Sequence, residues 1–292
     1  MRAKRWRRAA LLMLAVAWAC GGTGSENGSD DAEPSAAPPS AELEGVASDS
    51  LPAALLGTAP PPRGEAVRYY AADPAANGYL VTPGGAGPHP AVILIHEWDG
   101  LNDRVRQVAD ALADEGYVAL AADLYSGRIG TTREENMALV QEARANPGAS
   151  ITNLNAAVEF LRAREDVTGR IGTMGWCFGG GVALSYALGG EQHDGTAIFY
   201  GSLVTDPDSL AALDHEIYGT FAAQDDGIPP SQVEEFVAAL REAGVPNDVH
   251  VYDAVDHGFW LWVDQDYEAR SDPALDAWTR LKAYLARALG EA

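Results

Sequence analysis

From residue 65 onward, apolar runs of strand length alternate with amphipathic helical patterns, and that alternation calls for a mostly parallel sheet with helices on both faces. The runs are continuously apolar, as strands covered on both sides require. They read AVILIH (91–96), YVALAA (117–122), RIGTMG (170–175), TAIFYG (196–201), IYGTFAA (217–223) and VHVYDA (249–254). Between the first two, Val105, Val108, Ala109, Leu112 and Ala113 keep helical spacing behind Asn102 or Asp103 as cap. Ile151, Leu154, Val158 and Leu161 make a second helical face, and Val233, Phe236, Val237 and Leu240 a third. VRYYAAD and GYLVTP, within 67–83, predict an antiparallel pair turning at Asn77-Gly78. Residues 273–289 predict a closing helix. The expectation is one α/β domain over 65–292.

The 292 residues, 47% of them hydrophobic, suffice for a sizeable core. The formal charge of −22 argues against an electrostatic grip on nucleic acid or anionic lipid. The only cysteines are Cys20 and Cys177, so there is no disulfide framework and burial must hold the fold.

Ahead of the domain, MRAKRWRR is a basic n-region, AALLMLAVAWA an apolar h-region, and Ala17 and Ala19 are small residues at cleavage positions. Together they predict a signal peptide over 1–19, too short to span a bilayer comfortably. Cys20-Gly21-Gly22 resembles the bacterial lipobox, with Cys20 as the lipid attachment site. Ala17 and Trp18 depart from the usual pattern, and cleavage without lipidation is the alternative. Both readings place the protein outside the cytoplasm, in a bacterial cell envelope or periplasm, with membrane contact only through the lipid. Residues 20–64, rich in Gly, Ser, Pro, Ala and acid, predict a disordered tether. Within it, 51–56 reads as linker with incidental leucines, the alternative being a helical turn that docks on the domain.

The run RIGTMG leads straight into Gly175-Trp176-Cys177-Phe178-Gly179-Gly180-Gly181 and then the helical VALSYAL. This G-x-C-x-G between strand and helix has the form of a nucleophile elbow, where glycines on both sides let a strained turn pass close to neighbouring backbone. The turn puts the thiol at a helix N-terminus, which favours the thiolate. The rival reading makes Cys177 a small buried hydrophobe in a glycine-rich packing loop. A thiol nucleophile needs a base and an orienting acid, which follow it in chain order in this fold. Asp225 comes just after IYGTFAA and His257 just after VHVYDA, both at the sheet edge where open α/β sheets build sites. Asp226 is the rival acid. His89, His193, His215 and His250 fit surface or core roles.

Taken with HEWDGLND (96–103), AADLYSG (121–127), AAQDDGIPP (222–230) and DHGFW (256–260), GWCFGG makes the domain resemble the dienelactone hydrolase family, a cysteine-using branch of the α/β-hydrolases. The resemblance implies an α/β-hydrolase fold, Cys177 as nucleophile, His257 as base and Asp225 as acid. It also makes Glu97 the carboxylate that helps generate the thiolate when substrate binds, the alternative being a capping or surface acid. Backbone N–H groups of Phe178 and Trp98 would form the oxyanion hole. His96-Glu97 begins like a zinc-protease motif, but Gly100 stands where the second ligand belongs, so no metal is expected, nor any cofactor. Leu261 occupies the position of an arginine that binds a substrate carboxylate in the founding members. In its place, Trp260 and Trp262 are expected as an apolar pocket wall or as packing for the C-terminal helix, and Arg133 as a substitute cation. The implied activity is cleavage of a small-molecule carboxylic ester or lactone through an acyl-thioester. A thiol-dependent acyltransferase or peptidase, and a non-catalytic envelope binding protein, are the alternatives.

Overall fold

The computed structural model describes residues 50–290. The expected signal peptide, the Cys20 attachment site and the tether up to residue 49 lie outside the described residues.

Among the described residues the strands are β1 Glu65–Val67, β2 Gly78–Val81, β3 His89–Ile95, β4 Val118–Ala122, β5 Val167–Trp176, β6 Gly195–Phe199, β7 Ile217–Ala222 and β8 Asn247–Tyr252. They form one 8-stranded sheet in the order β1-β2-β4-β3-β5-β6-β7-β8. The first two pairings are antiparallel and the rest parallel. The helices are α1 Asp103–Asp114, α2 Arg133–Ala145, α3 Pro147–Arg162, α4 Phe178–Gly189, the short α5 Pro207–Leu210, α6 Pro230–Glu242 and α7 Tyr267–Leu289. This is an α/β-hydrolase architecture.

Side chains on successive strand positions point to opposite faces, and the core divides accordingly. Val92 and Leu94 of β3 join α1 and α7 in one cluster, while Ala91, Ile93 and Ile95 join α3 and α4 in another. Each fully buried Val, Leu or Ile contributes about 1.5–3 kcal/mol, so register is fixed by two cores at once. Ile95 pairs with both Ala122 and Gly175, Trp176 with Phe199, and Phe199 with Thr220. The parallel strands therefore end nearly level, and the loops after β3, β5, β7 and β8 rise from one edge. Asn102, rather than Asp103, caps α1, its side chain accepting the Val105 N–H at 3.1 Å.

The structure departs from the sequence expectations at three places. The β1–β2 connection does not turn at Asn77-Gly78. It spans 68–77, because the buried Tyr69 hydroxyl anchors it to Asn153 and to the Asp123 backbone, and Asp123 accepts the Asn77 N–H. Helix α2, not anticipated, starts with a capping box between Thr132 and Glu135. The tether does not run to residue 64: residues 51–63 are a strap packed on α1. Leu55 is 0% exposed. Gln107 donates to the Pro60 carbonyl, Asp110 accepts the Arg63 N–H, and Asp114 pairs with the Arg63 guanidinium. Gln107, Asp110 and Asp114 lie on one helical face, which gives the strap a continuous polar rail.

Candidate active site

Strand β5 ends at Trp176 and α4 begins at Phe178, so Cys177 alone makes the turn, at φ 54 and ψ −114. A residue with a Cβ is strained in that region. The turn is held by the Cys177 N–H donating to the Phe199 carbonyl at 3.0 Å and the Cys177 carbonyl accepting from Gly181. A Cβ at Gly175 would collide with the Gly179 carbonyl, and one at Gly179 with the carbonyls of Ile95 and His96. Those two glycines are what allow α4 to lie this close to the ends of β3 and β5.

The loop after β8 brings His257 over the turn, and the loop after β7 brings Asp225 behind it. His257 Nδ1 lies 2.6 Å from Asp225 Oδ2. A carboxylate only accepts, so Nδ1 carries the proton and Nε2 is left for the thiol. Cys177 lies close enough to the same imidazole to favour its charged form. Asp225 is 5% exposed, and its other oxygen accepts the N–H groups of Gly227 and Ile228 at 2.8 and 3.1 Å. Burial opposes its charge, but His257 and these donors hold its carboxyl below the ordinary range. Burial likewise opposes charge on His257, yet the bond to Asp225 and the nearness of Cys177 outweigh it and raise the imidazole to about 10. Asp226 is exposed and Asp256 pairs with Arg270, which removes both from the role of orienting acid.

Glu97 is buried in the loop after β3. Its Oε2 accepts the Trp262 indole N–H at 2.7 Å. Burial is the largest influence on it and raises its carboxyl to about 7. His96, beside it, is used structurally: Nδ1 donates to the Glu97 carbonyl and Nε2 accepts the Leu124 N–H. Phe178 and Trp98 fall in one apolar cluster with Tyr125, at the level of the turn.

The other expected pocket residues separate. Trp260 is not a pocket wall: it is 0% exposed, stacked on Trp176 at 5.8 Å and packed against Trp278 of α7. Its neighbour Trp262 does reach the site, as a hydrogen-bond donor. Arg133, the first residue of α2, puts its guanidinium 6.0 Å from the Trp98 ring, at the rim. Leu261 is fully buried. Sequence reasoning missed Tyr200, whose ring stands edge-on to His257 at 4.9 Å with φ 38. It also missed Arg104, stacked 4.6 Å from the Trp262 ring centroid. The position of Tyr200 at the end of TAIFY, at the same edge as Cys177, was the available signal.

A cysteine at a strained strand-to-helix turn, facing a histidine and an aspartate from later loops of a mostly parallel sheet, is the arrangement of an α/β-hydrolase. The model of the dienelactone hydrolase family matches residues 76–289, and the chain belongs to that family. Membership makes it a carboxylic ester hydrolase. A protein of Methylorubrum extorquens named "Putative carboxymethylenebutenolidase" is 30% identical over 217 residues, covering 70% of this chain and 74% of the relative. One of the same name from Aquifex aeolicus is 30% identical over 209 residues, covering 69% and 88%. Among solved structures, a "Putative Dienelactone Hydrolase" from Klebsiella pneumoniae is similar at 27% identity and TM-score 0.62, covering 73% of this chain and 93% of that one. The fold is shared more widely, as with a dienelactone hydrolase-like promiscuous phosphotriesterase from metagenomic libraries, at 22% identity and TM-score 0.66, covering 74% and 93%.

Proposed function

We propose that the chain hydrolyses a small-molecule carboxylic ester or lactone through an acyl-thioester on Cys177. The observation that carries this reading is the Asp225–His257 hydrogen bond beside a thiol at the strained turn. With its imidazole raised to about 10, His257 already holds the thiol's proton near neutral pH, and the sulfur attacks the acyl carbon. The oxyanion falls to the backbone N–H groups of Phe178, the first free donor of α4, and Trp98. The imidazolium gives its proton to the departing alcohol oxygen; the neutral imidazole then takes a proton from the water that attacks the thioester, and the Cys177 sulfur leaves as the acid is released. At pH values below its raised value of about 7, Glu97 keeps its proton and does not repel the thiolate. With Leu261 buried where the family's founders carry a cation, an acyl or alcohol group without a carboxylate fits this site better than an anionic one.

The test is a chromogenic ester and lactone panel on the full chain beside Cys177→Ala, with mass spectrometry for the acyl adduct. Turnover with an adduct at Cys177 is expected in the parent and neither in the variant. Turnover by Cys177→Ala at the parent's rate would sink the mechanism. We also propose that 1–19 directs export and that Cys20 carries the lipid. An acyl-modified N-terminus in membrane fractions, lost in Cys20→Ala, is the expected result.

A further inference from the structure

We propose that Arg104 is a positioning residue of this site, held by the 51–63 strap, and that it fixes the Trp262 indole against Glu97 and so governs the reactivity of the Cys177 thiol. The inference rests on Cys177 being the reactive group.

Arg104 stands on the first turn of α1 and binds two separate pieces of chain, the strap and the loop that carries Trp262. Its guanidinium donates to the Ala54 carbonyl of the strap at 2.5 Å and to the Leu261 carbonyl at 3.3 Å. It also pairs with Asp264 at 2.8 Å. The guanidinium carbon also lies over the Trp262 ring at 4.6 Å, and the side chain is only 10% exposed. A planar fork can bond sideways while stacking; a lysine ammonium cannot do both.

Each piece is itself held. Ala54 and Leu55 are buried in the core. Gly57 follows at φ 66, and a Cβ there would collide with the Asp264 carboxylate. The strap lies outside the 76–289 family match. On the far side, Arg270 donates to the Trp262 carbonyl and to Asp256 at 2.8 Å each, tying down the loop that carries His257. What remains for Trp262 is one indole N–H, and it goes to Glu97.

The titratable and charged groups facing Glu97 are Asp99 in its own loop, His257, Tyr200 and Arg104. Burial raises the Glu97 carboxyl most, and Asp99 adds to that; the Trp262 donor, His257 and Arg104 work the other way. Releasing the indole removes a donor to the charged form and pushes Glu97 further up. Because Glu97 is buried at the same site as Cys177 and His257, its ionisation appears in the pH dependence of thiol attack.

The experiment is alkylation of Cys177 by iodoacetamide in the full chain, followed by mass spectrometry from about pH 5 to about pH 9, with thermal melts to confirm folding. Parent protein, Glu97→Gln, Trp262→Phe, Arg104→Met, Arg104→Lys and Gly57→Val are compared. Glu97→Gln identifies the Glu97-linked inflection by abolishing it. Trp262→Phe is expected to move that inflection up by about half a pH unit or more. Arg104→Met and Gly57→Val should move it the same way, although neither residue touches Glu97 through a hydrogen bond. Arg104→Lys, which keeps the charge but not the fork, should move it too, and carries the test where Arg104→Met fails to fold. Profiles of the Arg104 and Gly57 variants that superimpose on the parent overturn the proposal, as does an unshifted Trp262→Phe. Alkylation needs no ester, so a chain with these shifts and no ester turnover would refute the hydrolytic mechanism alone.

Discussion

Glu97 is a carboxyl whose protonation is set first by burial, and its one side-chain hydrogen-bond donor is neutral. Trp262 offers it a single N–H, which cannot repay the burial of a full charge, and the carboxyl rises from an ordinary 4.5 to about 7. Between those values the native chain holds a proton that the unfolded chain has released. Stability from this group is therefore fully present below the lower value, declines as pH rises through the upper one, and stays lost beyond it. The gap corresponds to about 3 kcal/mol. Glu97→Gln keeps an oxygen for the Trp262 N–H and carries no charge. It is expected to raise the urea unfolding free energy by about 1–3 kcal/mol near pH 8 and to leave it unchanged near pH 4.5. An equal gain at both pH values would assign the effect to packing instead of ionisation. The gathering of Cys177, His257 and Asp225 is legible in the sequence, because few residue types do nucleophile, base and acid work and these three follow strands in the required order. The partner of Glu97 is not. An indole N–H at Trp262 is indistinguishable, in sequence, from the fully buried Trp260 two positions earlier, and only the path of the loop separates them.

At the level of elements, the turn from β5 to α4 sets the geometry of the whole site. Its strain is confined to Cys177, and its closeness to β3 depends on Gly179, where a Cβ would meet the carbonyls of Ile95 and His96. Gly179→Ala must push α4 away from the end of β3, and Phe178 with it. The expected result is a folded protein destabilised by about 1–3 kcal/mol, with Cys177 alkylation and ester turnover at least about tenfold slower, since small displacements at a reacting centre are costly. Parent-like turnover in that variant would show that the close approach is not required. Motif spacing exposes this turn because its constraint is local. The central strands are equally plain, as unbroken apolar runs admit no other placement in a two-sided sheet. Helix α2 escaped because only Asn136, Leu139 and Val140 of it are buried, too thin a stripe to announce itself, and the Thr132–Glu135 capping box was its one clear signal. The Asn77-Gly78 turn misled because Tyr69 and Asp123 make long-range bonds that no dipeptide rule contains.

For the molecule as a whole, the strap shows how a segment with the composition of a linker becomes part of a fold. Its length and its prolines favour an extended, solvated chain, and its leucines are too few to form a helical stripe. What orders it is the surface that receives it, a polar rail along α1 and an apolar seat for Leu55. Neither is visible from the strap's own residues. The chain carries a formal −22, and the strap adds a favourable charge contact by setting Arg63 against Asp110 and Asp114. The Arg63–Asp114 ion pair is exposed and stabilises little, so the docking should depend on Leu55. Leu55→Ala is expected to cost about 2–5 kcal/mol in urea unfolding with an unchanged slope, as for other buried leucines, whereas the half-buried Leu56→Ala should cost clearly less. Salt should change neither value much, because the lost term is apolar burial and cavity, not screened charge. If Leu55→Ala instead costs under about 0.5 kcal/mol, the range of an ordinary surface change, the strap contributes no stability and the Leu55 seat closes or fills without it.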